Sequence, residues 1–328
     1  MKQERPIVTI CMGTYNQEEY VRESVRGLLS QTYTPLEIVI SDDCSKDRTW
    51  EIILEEVENY KRSGGKHKIV LNRNIHNLGI ARHYSKIQRL GSGVISVANG
   101  GDDISFPNRV ETIVGEWIKS GKRATVIVNG AIKIDMSGNV VGKMPNRVLK
   151  AGVFGAGATY SSFLAEIFGP VVEPMAYEDQ ISYRRARIFG DLVVIKKPLM
   201  YYRVGCGVST ITTDFRVRMA KCVQSEVASL RQIIRDVRHA KAEIPSNKYD
   251  EIYKRAVVEY CKKKRELNLW VSHSFFRRLN GLCAMPLRKF LGPSGLVALT
   301  LLFPQTLSSY ILDMMFSMSA AFKRSLHK

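Results

Sequence analysis

The chain has 328 residues and is 45% hydrophobic, enough for one sizeable core and too apolar for global disorder. Its 49 Lys and Arg against 31 acids leave a charge of +18, which points to an anionic partner: a nucleotide, a nucleic acid or an acidic lipid surface. Six scattered cysteines without a C-x-x-C pair make a zinc site or a disulfide framework an unexpected outcome. No secretory signal is expected at the start, where Met1–Pro6 leads straight into a strand-like run.

Ile7–Met12 reads as a buried strand, broken by Gly13-Thr14-Tyr15-Asn16. Asn16 and Glu19 fit an N-cap and capping-box pair for a helix running to about Leu29. Leu36–Ser41 is a second strand, closed by the polar loop Asp42-Asp43-Cys44-Ser45. A helix starts at Thr49, a third strand covers Lys68–Leu71, and Gly79 to about Leu90 reads as helix. Val94–Ala98 is a fourth strand, followed by a helix from Pro107 to about Ser120. A strand around Thr125–Asn129 leads to a hairpin turning at Asp135–Asn139. Gly152–Gly157 is glycine-rich, a helix opens at Tyr177-Glu178-Asp179, and Val193–Ile195 is a late strand. Strands and helices alternating over short connections predict an α/β fold, with a Rossmann-like, mostly parallel sheet flanked by helices. From about Arg216, Met219, Val223, Val227, Leu230, Ile234 and Val237 recur at helical spacing, and Tyr249–Trp270 reads as another helix.

Ligands of such sheets bind beyond the carboxyl ends of the strands. Thr14-Tyr15, Asp42-Asp43 and Asn99-Gly100-Gly101-Asp102-Asp103 all fall there. Asp102 and Asp103 offer hard oxygens in a glycine-flanked opening, suited to Mg²⁺ or Mn²⁺ carrying phosphates. A plain polar turn is the competing reading of those residues. The chain lacks G-x-G-x-x-G after its first strand and G-x-x-x-x-G-K-[ST], so a nucleotide must be held by side chains and a metal. Asp42 can accept from a pyrimidine ring N–H, Tyr15 can lie against the base, and the backbone at Thr14 can read its edge. Glu178-Asp179 is the candidate base for an acceptor hydroxyl, or an acidic helix start favoured by the macrodipole. One of Arg184, Arg185 and Arg187 can pair with an acid or a phosphate.

In order and spacing, Val8–Asn16, Ile38–Thr49, Asn77–Arg82, Gly101–Ile104 and Tyr177–Asp179 resemble an inverting family 2 glycosyltransferase of the GT-A fold, over about residues 6 to 210. The resemblance implies that Thr14, Tyr15 and Asp42 contact the base and that Arg82 reaches the nucleotide. It implies Asp102 near the ribose and metal, Asp103 on the metal and Asp179 as the base. Thr159 and Tyr160, with Glu178, would line the acceptor side, and Tyr202-Arg203 would precede a loop closing over the diphosphate. Three positions depart from the family pattern. Gly13 stands where many members have Pro, and Gly100 where many have an acid three residues before Asp103. Gly205-Cys206-Gly207 stands where many place His.

From Lys262 to Lys328 eleven Lys and Arg face two acids, interleaved with Trp270, Phe275, Phe276, Leu282 and Phe290. That texture suits a helix in an anionic membrane interface, while the apolar run Leu296–Phe303 is shorter than the about 20 residues a span needs. A helical subdomain packed on the rest is the other reading of this tail. The expected organisation is therefore a nucleotide-sugar glycosyltransferase domain over 1–215 and a helical, basic region over 216–328. The expected partners are a nucleotide-sugar donor, a glycan or lipid-linked acceptor and an anionic membrane surface, with no nucleic acid. The expected setting is the cytoplasm, peripheral on the inner face of a bacterial membrane, in surface-polysaccharide synthesis. The rivals are a sugar-phosphate nucleotidyltransferase, whose glycine-rich basic signature is missing, and a non-catalytic membrane scaffold, against which the retained acids argue.

Overall fold

The computed structural model describes residues 5–151, 154–173, 177–206 and 215–271. Gly152, Gly207 and the basic, aromatic tail beyond Val271 lie outside the described residues. The chain divides into two compact units, Met1–Ile211 with Ala228–Lys254, and Thr212–Val227 with Arg255–Lys328.

The first unit is built on one sheet. Its strands are β1 (Val8–Thr14), β2 (Leu36–Asp42), β3 (Lys68–Arg73), β4 (Ile95–Gly100) and β5 (Ile104–Ser105), then β6 (Ala124–Ile134), β7 (Val140–Lys143), β8 (Ala158–Ser161) and β9 (Asp191–Arg203). Their order is β3-β2-β1-β4-β8-β6-β9-β5, with β7 beside β6. The first four are parallel, as expected from the alternating sequence pattern. Beyond β4 the sheet is mixed: β8 runs antiparallel to both β4 and β6, while β6 and β9 are parallel to each other.

Both faces of the parallel half are covered, which is why β1 and β2 are apolar along almost their whole length. On one face Ile10, Met12, Ile38 and Ile40 join Val25 and Leu28 of α1 (Val21–Leu29), Ile53 of α2 (Thr49–Arg62) and Ile113 of α4 (Arg109–Lys119). On the other, Cys11 and Val39 meet Ile87 of α3 (Ile80–Leu90).

Helix α1 begins later than the sequence suggests. Asn16 adopts a left-handed backbone with φ of 50° and does not cap it; Tyr20 stands at the N-cap position. The Asn16 amide oxygen instead accepts from the Lys46 N–H at 2.9 Å, and its own N–H donates to Ser45 Oγ at 2.9 Å. The polar loop after β1 is thereby tied to the loop after β2. The hairpin expected at Asp135 is present, with the Asp135 carboxylate accepting from the backbone N–H of Ser137 and Asn139.

After α5 (Asn146–Ala151) and α6 (Phe163–Phe168), helix α7 spans Glu178–Phe189. Helices α8 (Phe215–His239) and α9 (Ser246–Val271) close the described chain. The half of α8 that belongs to the first unit carries a buried polar row, Ser229, Gln232 and Asp236. These recur at helical spacing on one face. Ser229 Oγ accepts from the Tyr177 N–H at 3.0 Å, Gln232 Oε1 accepts from the Val172 N–H at 3.0 Å, and Asp236 pairs with Arg185 at 2.7 Å. The row therefore fixes both α7 and the segment leading into it. In the second unit Val223, Val227, Leu269 and Trp270 pack together.

Arg185 and Asp236 are buried, so removing one leaves the other charge uncompensated. Asp236→Ala is expected to cost about 3–5 kcal/mol of stability, read by denaturant titration. A loss under about 1 kcal/mol would mean that the pair does not hold α7.

Candidate active site

The carboxyl ends of β1, β2 and β4 form one side of the site. Asp42 is fully buried, and its carboxylate accepts from Thr14 Oγ1 at 3.3 Å, from the Ser45 N–H at 3.0 Å and from the Ser45 hydroxyl, with Arg73 Nε at 3.3 Å. Parallel pairing sets Thr14 directly opposite Asp42. Tyr15 follows with 45% of its surface exposed, a free aromatic face at the end of β1. Asp43 turns the other way. Its carboxylate accepts from Asn74 Nδ2 at 2.8 Å and from the N–H groups of Leu78 and Gly79 at 2.9 and 3.0 Å, fastening the start of α3.

Asp102 and Asp103 lie between β4 and β5. Because β5 pairs antiparallel with the end of β9, residues a hundred positions apart become neighbours, and the Arg203 N–H donates to Asp103 Oδ1 at 3.0 Å. Gly100 stands beneath both acids. A Cβ there would lie 2.7 Å from Asp102 Oδ1 and 2.8 Å from Asp103 Oδ2, so the two carboxylates converge on a space only glycine leaves open. Burial, then the neighbouring Asp102, raises the Asp103 carboxyl well above its ordinary range. Two converging carboxylates with too little positive charge fit a divalent cation, and two oxygen ligands leave positions for phosphate and water. No cluster of three or more His, Cys, Asp or Glu suited to a metal occurs among the described residues.

Gly101 joins the acids to the β1 loop: a Cβ there would lie 2.6 Å from Thr14 Cγ2 and 2.2 Å from Gln17 Oε1. Tyr202 joins them to the opposite side. Burial pushes its hydroxyl up to about 12, with the fields of Asp103, Asp102, Cys206 and Glu178 adding to the shift, and its ring meets that of Phe154, just before the Gly155–Gly157 turn, edge-on at 5.1 Å. Cys206 Sγ lies 3.3 Å from Asp102 Oδ2 and donates to it.

Glu178 and Asp179 open α7 beside the turn Gly155–Gly157. A Cβ on Gly155 would lie 2.8 Å from Glu178 Oε1 and 3.2 Å from Asp179 Cβ. Desolvation, then Asp179, pushes Glu178 up to about 8; desolvation raises Asp179 as well, against the Gln180 N–H that donates to it at 2.7 Å. Of the β8 residues, Tyr160 turns toward this pair: after burial, the fields of Asp179 and Glu178 raise its hydroxyl, which makes no hydrogen bond to either acid. Thr159 does not turn toward it. Consecutive strand residues face opposite ways, and Thr159 lies opposite Val97 and Ile127 on the core face.

Two predicted residues are held away from a phosphate. The Arg203 guanidinium is occupied by the carbonyls of Asp102, Asp135 and Met136 and by Glu23 at 2.7 Å, and it stacks over Tyr20. It is the backbone of Arg203, not its charge, that faces Asp103. Arg82 Nε donates to the Val172 carbonyl at 3.0 Å, bracing the segment before α7.

Sequence reasoning missed two buried residues here. His83 Nε2 lies 2.7 Å from Ser41 Oγ, and Gly13 leaves room for its ring: a Cβ on Gly13 would sit 3.4 Å from His83 Nδ1. Arg109, with no exposed surface, lies behind the acidic turn. It follows Asp103 by six residues and could be read only as a helix-start cation. A separate cavity of about 290 Å³, lined by Arg89, Ser92, Ser162 and Glu166 among others, includes none of the predicted site residues.

Three comparisons bear on this arrangement. EpsE of Bacillus subtilis (strain 168), provisionally named a glycosyltransferase, is 28% identical over 155 residues, 47% of this chain and 54% of its own length. The chain thus spans about half of that relative. In architecture it is similar to residues 1–349 of S. aureus TarS solved with UDP-GlcNAc, at a TM-score of 0.57 and 16% identity, covering 85% of this chain and 79% of that one. It is also similar to the Pyrobaculum calidifontis mannosyltransferase PcManGT solved with GDP-Man and Mn²⁺, at 0.55 and 17%, covering 99% and 89%. These likenesses confirm the expected GT-A architecture. Residues 9–161, which carry β1 to β8 with the strand-end acids, match the model described as Glycosyl transferase family 2.

Proposed function

We propose that the chain transfers a sugar, with inversion, from a nucleoside diphosphate donor of the UDP type to a hydroxyl of a glycan acceptor. The observation that carries this reading is the convergence of Asp102 and Asp103 on the space above Gly100. Asp42 and the Thr14 backbone take the base edge, and Tyr15 takes its face. Asp102 and Asp103 would hold Mg²⁺ or Mn²⁺, which would supply positive charge beside the departing diphosphate. Asp179 accepts the proton of the attacking hydroxyl, with Glu178 and Tyr160 lining the acceptor side. The residues assigned to chemistry all lie within 1–215.

The region 216–328 is the part assigned to an anionic membrane surface, where a lipid-linked acceptor in surface-polysaccharide synthesis would be met. Lys254, Arg255, Lys262, Lys264 and Arg265 are exposed along α9, which supports that assignment. No helix among the described residues is long and apolar enough to cross a membrane.

A panel of nucleotide sugars, assayed for nucleoside diphosphate release with Mn²⁺, tests the reading. No release from any donor, with or without glycan acceptors, would reject it, and pyrophosphate release from a nucleoside triphosphate and a sugar phosphate would favour a nucleotidyltransferase. Asp103→Ala is expected to abolish turnover and weaken UDP binding in calorimetry with Mn²⁺. Asp179→Asn should leave that affinity within about twofold while removing at least about 10²-fold of turnover.

The pH profile follows from the raised acids. A carboxyl with a raised pKa keeps its proton until the pH passes the raised value. Asp179 must be ionised to act as a base, so kcat/KM climbs as the Glu178–Asp179 pair loses its first proton. Loss of the second, near the value of about 8 reached by Glu178, places two charges together and produces an alkaline decline. Glu178→Gln should remove that decline and keep the acid limb. In stability the sign is the same: the unfolded chain releases the Glu178 proton at the ordinary 4.5, so this group favours folding less and less as pH rises from there to about 8.

A further inference from the structure

Arg109 has five N–H donors, and each finds an acceptor. Nε donates to Asn129 Oδ1 at 3.1 Å, and Nη1 to Asn99 Oδ1 at 2.9 Å and Ser105 Oγ at 2.8 Å. Nη2 donates to the Ala98 carbonyl at 2.8 Å and the Ala156 carbonyl at 2.7 Å. All five acceptors are neutral, although the side chain is fully buried. A buried charge is ordinarily paired with an opposite one, so an arginine held only by dipoles needs another account.

The acceptors supply it. By fixing Asn99 Oδ1, Arg109 aims the Asn99 amide nitrogen the other way, where it donates to the Gly100 carbonyl at 2.7 Å and the Asp103 carbonyl at 3.2 Å. Those carbonyls are the two ends of the turn that carries Asp102 and Asp103. Through Ala156, the same guanidinium holds the Gly155–Gly157 turn, whose first residue lies against Glu178 and Asp179. One planar fork therefore fastens the donor-side acids and the acceptor-side acids to a common anchor.

We propose that Arg109 is a positioning residue that sets the distance between the metal-binding acids and the catalytic base, and that its fork geometry is required for this as well as its charge. The inference rests on the glycosyl-transfer reading above. A lysine keeps the charge but offers a single ammonium, which cannot span Ala98, Asn99, Asn129 and Ala156 together. A misplacement of about 1 Å in such a site costs about 10²-fold in rate.

The test compares full-length wild type with Arg109→Lys, Ser105→Ala and, as a stability benchmark, Glu37→Gln. Glu37 is buried near the starts of β1 and β2, accepting from Thr9 Oγ1 at 2.8 Å and from the Ser92 N–H at 2.6 Å. Its variant should lower Tm without changing kcat. Arg109→Lys is expected to lose about 10²-fold in kcat and about tenfold in affinity for Mn²⁺ with UDP, measured by calorimetry. Ser105→Ala, which removes one acceptor of the fork, should show the same split at a few-fold in each and serves if the lysine variant does not fold. Either folded variant retaining kcat and affinity within twofold of wild type, with only Tm lowered as in Glu37→Gln, would overturn the proposal. A wild type that binds neither UDP nor GDP with Mn²⁺ and releases no diphosphate would reject the underlying reading, and the positioning role with it.

Discussion

Carboxylates repel one another, and this fold gathers them. Asp42 comes from the end of β2, Asp102 and Asp103 from the turn after β4, and Glu178 and Asp179 from the start of α7. Each is partly or wholly withdrawn from water, which strengthens the repulsion. Asp42 is relieved locally by Thr14, Ser45 and Arg73. Asp103 is not: one backbone N–H and the distant fields of Arg109 and Arg203 do not overcome its burial. The imbalance is the feature on which the proposed cation site rests, since a divalent cation carrying a diphosphate would bring positive charge to that place. Much of the surrounding architecture keeps those acids from relaxing apart.

Two devices do so from opposite sides. Behind the acidic turn, Arg109, Asn99 and Ser105 form a closed polar network in which every donor has an acceptor, the condition under which buried polar groups rigidify a site. Behind α7, the row Ser229, Gln232 and Asp236 on α8 takes up the backbone N–H groups of Val172, Glu173 and Tyr177 and the Arg185 side chain. Arg82 adds a bond from α3 to the same segment. The half of α8 nearest its carboxyl end thus belongs physically to the sheet-bearing unit, although its residues lie beyond 215.

The parallel half of the fold was legible because its signal is local. Runs such as Leu36–Ile40 bury both faces, and polar loops mark their carboxyl ends. Neither β5, two residues long, nor β8, four residues long, carries a periodicity that can be read, yet β5 brings Arg203 to Asp103. Asn16 reads as a cap because its side chain is short and polar, but the same property lets it adopt φ of 50° and bind Lys46. The proposed acids were legible from position, Asp42, Asp102 and Asp103 at strand ends and Glu178 and Asp179 at the start of a helix. Side-chain direction was not: Thr159 faces the core, and the Arg203 guanidinium turns to carbonyls and Glu23, because both depend on pairing across distant segments. Arg109 and His83 were missed for the same reason. In sequence each is one polar residue on an otherwise ordinary helix.

The glycines that depart from the family pattern also gain a physical meaning. An acid at position 100 would bring a third carboxylate to a point already 2.7 and 2.8 Å from two carboxylate oxygens. With glycine there, Asp102 and Asp103 share the space instead, and the proposed cation site rests on their convergence rather than on the number of acids. At position 13 the missing side chain leaves room for Ile87 and for the His83 ring, which reaches Ser41 next to Asp42. Burial lowers the His83 pKa, the opposing fields of Asp43 and Asp42 notwithstanding, so near neutral pH the ring is uncharged and acts by hydrogen bond. Asn72 donates to the same Ser41 hydroxyl at 2.8 Å. On the side of Ser41, Asn72 and His83 the end of β2 that presents Asp42 is therefore held by neutral groups, and the charge that meets Asp42 comes from Arg73 instead.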